Sequence, residues 1–65
     1  MNYLTATSDE QLGMCLRMLL AYTEKPIYEV ETLKNSQDKI EFHVYIDADE
    51  EEYARLKQRY ELFIA

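Results

Sequence analysis

Residues 40–46 have the sequence Ile-Glu-Phe-His-Val-Tyr-Ile, in which apolar and polar side chains alternate without interruption. Successive side chains of a β-strand point to opposite faces of the sheet, so this alternation predicts a strand that is buried on one side only. The inward set is Ile40, Phe42, Val44 and Ile46, and the outward set is Glu41, His43 and Tyr45. This is the strongest strand signal in the chain, and the other elements are placed relative to it.

Residues 27–33 alternate as well, with Tyr28, Val30 and Thr32 on one side and Glu29 and Glu31 on the other. The polar residues 34–39 lie between the two alternating segments, which predicts a hairpin. Opposed residues of a hairpin share a face, so Val30 should pair with Val44 and Thr32 with Phe42 across an odd-length loop or a bulge. The expected buried side chains are Val30, Phe42, Val44 and Ile46, and the expected exposed ones are Glu29, Glu31, Glu41 and His43.

Two helices flank the hairpin. Ser8 and Gln11 have the spacing of a capping box, which predicts a helix from Ser8 to about Thr23, and Pro26 prevents its continuation. Asp47 or Asp49 caps a second helix, because three glutamates follow at its positive end and apolar residues recur every three or four positions. A short alternating segment at residues 2–7 predicts a further strand.

The element order is therefore β1 (residues 2–7), α1 (to about residue 23), β2 (27–33), β3 (40–46) and α2 (from about residue 50). A right-handed crossover from β1 to β2 leaves room for β3 between them, which predicts an antiparallel sheet in the order β1-β3-β2. We expect an α+β, two-layer fold with both helices on one face. The element order resembles that of ferredoxin-like domains without their fourth strand, and is similar to small regulatory modules that sense amino acids or transduce signals.

Size and composition limit the classes of function. A chain of 65 residues forms one domain over residues 1–65, and so short a chain buries only about 60% of its unfolded surface. One cysteine excludes an internal disulfide, which leaves oligomerisation or a partner as the source of added stability. The net charge of −6 disfavours direct nucleic-acid binding. No signal-peptide pattern or apolar run of membrane-spanning length is present, so we expect a cytoplasmic protein without membrane contact.

The sequence offers no strong catalytic or metal-binding motif. Cys15 and His43 are the only cysteine and histidine, too few for a zinc site, and Cys15 fits a small core residue. The acids of residues 47–52 lack calcium-loop spacing and are explained by helix capping. His43 near Glu29 and Glu31 could form an acid-base group, but no nucleophile accompanies it. We therefore expect neither a metal nor a cofactor, and no enzyme activity.

Two surfaces are candidates for protein contacts. The apolar arc of α1 is wider than one sheet can cover, which predicts that its flanks pack against the second helix, a second subunit or a partner. The outer sheet face combines aromatic and acidic side chains, and protein interfaces are enriched in aromatic residues. The first surface comprises Met14, Met18, Leu20 and Ala21, and the second comprises Tyr3, Glu29, Glu31, Glu41, His43 and Tyr45.

Three functions fit these features. The first is a non-catalytic interaction or regulatory domain that acts through protein contacts as a homodimer or with a partner. The second is a small-molecule sensor in which two subunits hold a metabolite between them. The third is an acidic inhibitor that imitates nucleic acid and occupies a basic site on a DNA- or RNA-handling protein.

Overall fold

The computed structural model describes residues 2–24 and 27–65. Its elements are β1 (Asn2–Ala6), α1 (Asp9–Tyr22), β2 (Ile27–Lys34), β3 (Ile40–Ile46) and α2 (Glu50–Ile64). The strands form one antiparallel sheet in the order β1-β3-β2, and the helices pack on one of its faces. The predicted α+β layout is confirmed. Pro26, which was expected to stop α1, lies outside the described residues, and the helix has already ended at Tyr22.

The hairpin has the predicted register, with Val30 opposite Val44 and Thr32 opposite Phe42. The five residues 35–39 connect the strands, and the main-chain N–H of Asn35 donates to Lys39 O over 2.9 Å. Because that bond pairs Asn35 with Lys39, the loop itself has three residues, 36–38, and Asp38 at its end has a left-handed φ of 61°. The odd loop length keeps the apolar sides of the two strands on the same face. A bulge interrupts the pairing at the other end of β2, between Ile27 and Glu29.

Helix α1 begins at the predicted cap Ser8, and α2 begins at Asp49, one of its two predicted caps. Ser8 Oγ accepts from Gln11 N over 3.1 Å. The Gln11 side chain accepts from Thr7 N, whereas a capping box would have it accept from Ser8 N. Asp49 is the cap of α2, because its Oδ1 accepts from Glu52 N over 2.8 Å. These bonds satisfy main-chain N–H groups that have no partner within the first helical turn.

The core lies between the helices and the two strands β1 and β3. Buried side chains from all four elements meet there: Leu4, Cys15, Met18, Leu19, Val44, Ile46, Leu56 and Tyr60. The strand residues of this group alternate along the chain, as expected for a sheet buried on one side. None of these core residues comes from β2.

Strand β2 is therefore less covered than the alternation predicts. The expected burial of Val30 is wrong, because this side chain is 41% exposed, and Phe42 is only half-buried. The helices lie over the β1 edge of the same face, where the hydroxyls of Tyr53 and Tyr60 donate to main-chain oxygens of β1 over 2.9 Å each. This attachment draws α2 toward β1 and leaves the inward side of β2 open to water. On the outer face, Glu41 and His43 are half-buried, although they were expected to be exposed.

Candidate functional site

The outer face of the sheet, which points away from both helices, brings the second predicted group of residues together. Strand pairing places Tyr3 opposite Tyr45 and Glu31 opposite His43. Glu29 pairs with Tyr45 from the other side, and Glu41 follows His43 by two positions on the same face. The predicted group is Tyr3, Glu29, Glu31, Glu41, His43 and Tyr45. All six occupy outward positions on adjacent strands.

Three rings of this face form an aromatic cluster, which consists of Tyr3, His43 and Tyr45. The rings of Tyr3 and His43 are stacked, with centroids 4.3 Å apart and planes inclined by 23°. The ring centroid of Tyr45 lies 5.2 Å from that of Tyr3 and 6.4 Å from that of His43, in tilted and edge-on arrangements. Aromatic pairs favour such offset and edge-to-face geometries. The three rings therefore hold one another in place on the surface.

An acidic strip of Glu29, Glu31 and Glu41 borders the aromatic cluster. The Tyr45 hydroxyl donates to Glu31 Oε1 over 3.1 Å, and His43 Nε2 lies 3.3 Å from Glu41 Oε2. Desolvation raises the pKa of Tyr45, and the hydrogen bond to Glu31 raises it further because the carboxylate favours the protonated phenol. Tyr45 is thus a neutral donor at physiological pH, and its ring is oriented by the carboxylate.

The first predicted surface, on α1, is only partly available. Placing Met18 at an interface is wrong, because its side chain is fully buried within the chain, and Met14 is half-buried. The helix arc is wide because α2 packs against α1 and covers this flank as part of the core. Leu20 and Ala21 are exposed, and Leu20 is 79% accessible. What remains of this surface is the side of α1 that carries Leu20.

A further aromatic contact on the helix side was missed by the sequence analysis. Tyr22 and Phe63 make an edge-to-face contact with centroids 6.5 Å apart, and the Arg59 guanidinium lies 4.1 Å from the Tyr22 ring centroid. A groove of about 490 Å³ adjoins this contact and is also lined by Leu62. One signal was present in the sequence, because Arg59 and Phe63 are four positions apart and so share one side of α2. Their meeting with α1 depends on how the helices cross.

Cys15 lies in the core, as expected of a small buried residue. Burial raises the pKa of its thiol from 9.0 to about 11, because the apolar surroundings disfavour the thiolate. The thiolate is the reactive form of cysteine, so this residue is poorly suited to nucleophilic attack.

Over residues 2–24 and 27–65, no three His, Cys, Asp or Glu side chains are grouped so that they could hold a metal ion. Within the same part of the chain, neither helix combines the length and apolar character needed to cross a bilayer. Comparison with protein-family models, with curated proteins and with solved structures gives no match to this chain.

Proposed function

We propose that this chain is a non-catalytic protein-interaction domain that binds a partner protein through the outer face of its sheet. The observation that carries the proposal is the aromatic cluster, which stands on a face that neither helix covers. Tyrosine is enriched among the residues that dominate binding energy, because it combines a large contact area with a hydroxyl that can hydrogen-bond. Tyr3 is 40% exposed and so offers ring surface to a partner.

The cluster is also well ordered before any partner arrives. Its residues lie on two paired strands, its rings contact each other, and Glu31 accepts a hydrogen bond from Tyr45. Side chains that are already held in place lose less conformational entropy on binding, which favours affinity. We propose no acid-base role for His43, because it lies on an open sheet face that does not exclude water.

The helix side offers a competing surface. Leu20, Tyr22, Leu62 and Phe63 are between 42% and 79% exposed. Self-association through Leu20 and Ala21, which would make the protein a homodimer, belongs to this alternative. We favour the outer face because its aromatic residues contact one another and border the acidic strip. The free thiol of Cys15 is compatible with a reducing compartment, so we place the interaction in the cytoplasm.

Affinity capture with matched variants tests the proposal. Immobilised wild type is compared with an outer-face variant, Tyr3→Ser with Tyr45→Ser, and with a helix-side variant, Leu20→Ser with Leu62→Ser. Each pair replaces two exposed or half-exposed large side chains, and circular dichroism verifies that both variants are folded. Proteins captured from a lysate of the native host are quantified by mass spectrometry, and the enriched protein is purified and tested for direct binding.

We expect the outer-face variant to lose a protein that the wild type and the helix-side variant both bind. If only the helix-side variant loses the captured protein, the interface lies on the helices. Capture of nothing by the wild type would contradict the proposal.

A further inference from the structure

The second inference rests on the proposed function and identifies the chemistry of the partner. We infer that the outer face binds an extended, cationic segment of a protein, in which basic residues alternate with uncharged ones.

Charge on this face has one sign. The outward positions of the three strands hold three glutamates and neither lysine nor arginine. Lys34 pairs with Ile40 and so belongs to the opposite face. Arg59 and Lys57 lie over rings on the helix side. A surface with one sign of charge attracts segments of the opposite sign and repels segments of the same sign. It therefore steers a cationic partner toward this face and selects against acidic ones.

The carboxylates have free capacity for a cation. Glu31 uses one oxygen to accept from Tyr45, and Glu29 makes no hydrogen bond or ion pair with any residue that the structure describes. An ionised carboxylate has about four acceptor sites on its two oxygens. Both glutamates are exposed, so an arriving guanidinium or ammonium group can reach them without displacing a protein partner.

The aromatic cluster complements this charge. Lysine and arginine carry apolar stems that pack on rings while the charged head remains near a polar partner. A cation close to a tyrosine ring gains further electrostatic attraction from the ring. Because Tyr45 lies directly between Tyr3 and Glu29 across the sheet, one basic side chain can lay its stem on the ring and direct its head to the carboxylate.

Spacing specifies the pattern of the segment. Glu29 and Glu31 are two positions apart on one strand, so their side chains emerge from the same face about 7 Å apart. Alternate residues of an extended segment have the same spacing, so two basic residues in an i, i+2 relation match the two carboxylates. Adjacent basic residues in an extended segment point in opposite directions and can present only one of the two charges to this face.

A pair of synthetic peptides tests the inference. The first alternates arginine with threonine, and the second has the same composition but places arginines in adjacent pairs. Binding to the isotopically labelled full chain is followed by amide shifts in nuclear magnetic resonance, at low and at high salt. We expect the alternating peptide to bind more tightly, to shift the amides of β2 and β3 on the outer face, and to weaken at high salt.

Matched protein variants show which carboxylates bind the peptide. Glu29→Gln with Glu31→Gln should weaken binding of the alternating peptide about tenfold, through loss of two charge-assisted contacts. Glu51→Gln with Glu61→Gln removes the same charge from exposed positions on α2 and should leave the affinity unchanged. Equal weakening by both variants would show that only net charge matters and would overturn the inference.

The two proposals fail in different ways. A captured partner that requires Tyr3 and Tyr45 but binds through a neutral or acidic segment, without salt dependence, would overturn the cationic inference and leave the interaction surface standing. Equal affinity for both peptides would overturn the predicted alternation. Peptide shifts confined to α2, together with capture that does not depend on the outer face, would overturn both.

Discussion

The hydroxyl of Tyr60 donates a hydrogen bond to the main-chain oxygen of Thr5 over 2.9 Å, and this contact joins the last helix to the first strand. Tyr53 makes the equivalent bond to Tyr3 O, also over 2.9 Å. Tyr3 and Thr5 are two positions apart, so their carbonyl groups point to the same side of β1, away from its pairing with β3. On that side a ferredoxin-like fold would place a fourth strand. Here the two tyrosine hydroxyls donate to the carbonyl groups that such a strand would otherwise pair with.

Removing these hydroxyls tests the attachment. Tyr60→Phe keeps the buried ring but leaves a carbonyl without its partner, so it should lower the free energy of unfolding by about 1 kcal/mol. Tyr53→Phe is the matched control, because its bond lies in an exposed position where water replaces the lost partner, and its effect should be smaller. Chemical denaturation measures both. Equal stability of Tyr60→Phe and wild type would show that the bond does not hold α2 in place.

Alkaline pH should destabilise the fold. Burial raises the pKa of Cys15 to about 11, and burial followed by the neighbouring Cys15 raises that of Tyr60 to about 12. In the unfolded chain these groups ionise near 9.0 and 10.0, so rising pH removes protons from the unfolded state first and favours it. The melting temperature should be insensitive to these groups below about pH 9 and fall as pH rises through 11 and 12.

Cys15→Ala is the control for the alkaline transition. Without the thiol, the loss of stability should begin near pH 10, where the unfolded tyrosine starts to ionise. An unchanged pH profile in this variant would mean that the thiol does not contribute. Native Cys15 should also resist a thiol reagent that modifies it rapidly in denaturant.

Charge substitutions on α1 separate the core from the surface. Met18→Glu places a carboxylate among apolar side chains with no partner and should unfold the domain. Leu20→Glu, two positions further along, adds the same group to a side chain that is 79% exposed and should leave the fold intact. Circular dichroism distinguishes these outcomes. Sedimentation of wild type and Leu20→Glu then shows whether this side joins two copies, since a wild-type dimer that Leu20→Glu dissociates would support the helix side as an interface.

Two isoleucines of β3 measure how far the helices cover the sheet. Ile46 is fully buried, so Ile46→Ala should cost about 2–5 kcal/mol. Ile40 is 49% exposed on the same face, and Ile40→Ala should cost less than about 1 kcal/mol, because little surface returns to water. The two costs are compared from the midpoints of chemical denaturation, in variants whose unfolding free energy has the same dependence on denaturant as the wild type. Similar costs at the two positions would mean that the end of the hairpin is covered as well as the core.

The hairpin turn depends on a left-handed residue. Asp38 has a φ of 61°, so Asp38→Gly should remain within about 0.5 kcal/mol of wild type, whereas Asp38→Val should cost about 1–2 kcal/mol. Its ion pair with Lys34, at 3.5 Å between exposed side chains, contributes little. Thermal unfolding of the two variants tests this order. A valine variant as stable as the glycine variant would show that the turn rearranges.

The hairpin and the helix starts could be predicted because each depends on local pattern, and the sheet order followed from the right-handed crossover rule. Alternation along β3 determines which side chains share a face, and a cap at Asp47 or Asp49 is needed to satisfy the free N–H groups of α2. The outer-face group followed from the same alternation, since Glu31 and His43 had to be opposite once the hairpin register was set. The charge and ring content of that face were therefore present in the sequence.

Which side chains the helices cover could not be predicted in the same way. Strand alternation gives the direction of Val30, and helical periodicity gives that of Met18, but neither says what lies above the side chain. The two predictions failed in opposite directions. Val30 was expected in the core and is exposed, whereas Met18 was expected at an interface and is buried. The position of α2 decides both outcomes, because it packs against α1 and is fastened to β1 by two tyrosine hydroxyls. The two hydroxyl bonds join residues that are 50 and 55 positions apart, and no local periodicity encodes them.

The sequence by itself determined the order, direction and facing of the elements, since strand and helix periods and capping groups act between near neighbours. The tertiary structure decided how the helices lie across the sheet, and with it which apolar residues form the core and which remain exposed. It also decided the ring geometry of Tyr3, His43 and Tyr45. Contact between side chains of separate strands depends on the twist and pairing of the whole sheet, which only the assembled fold sets.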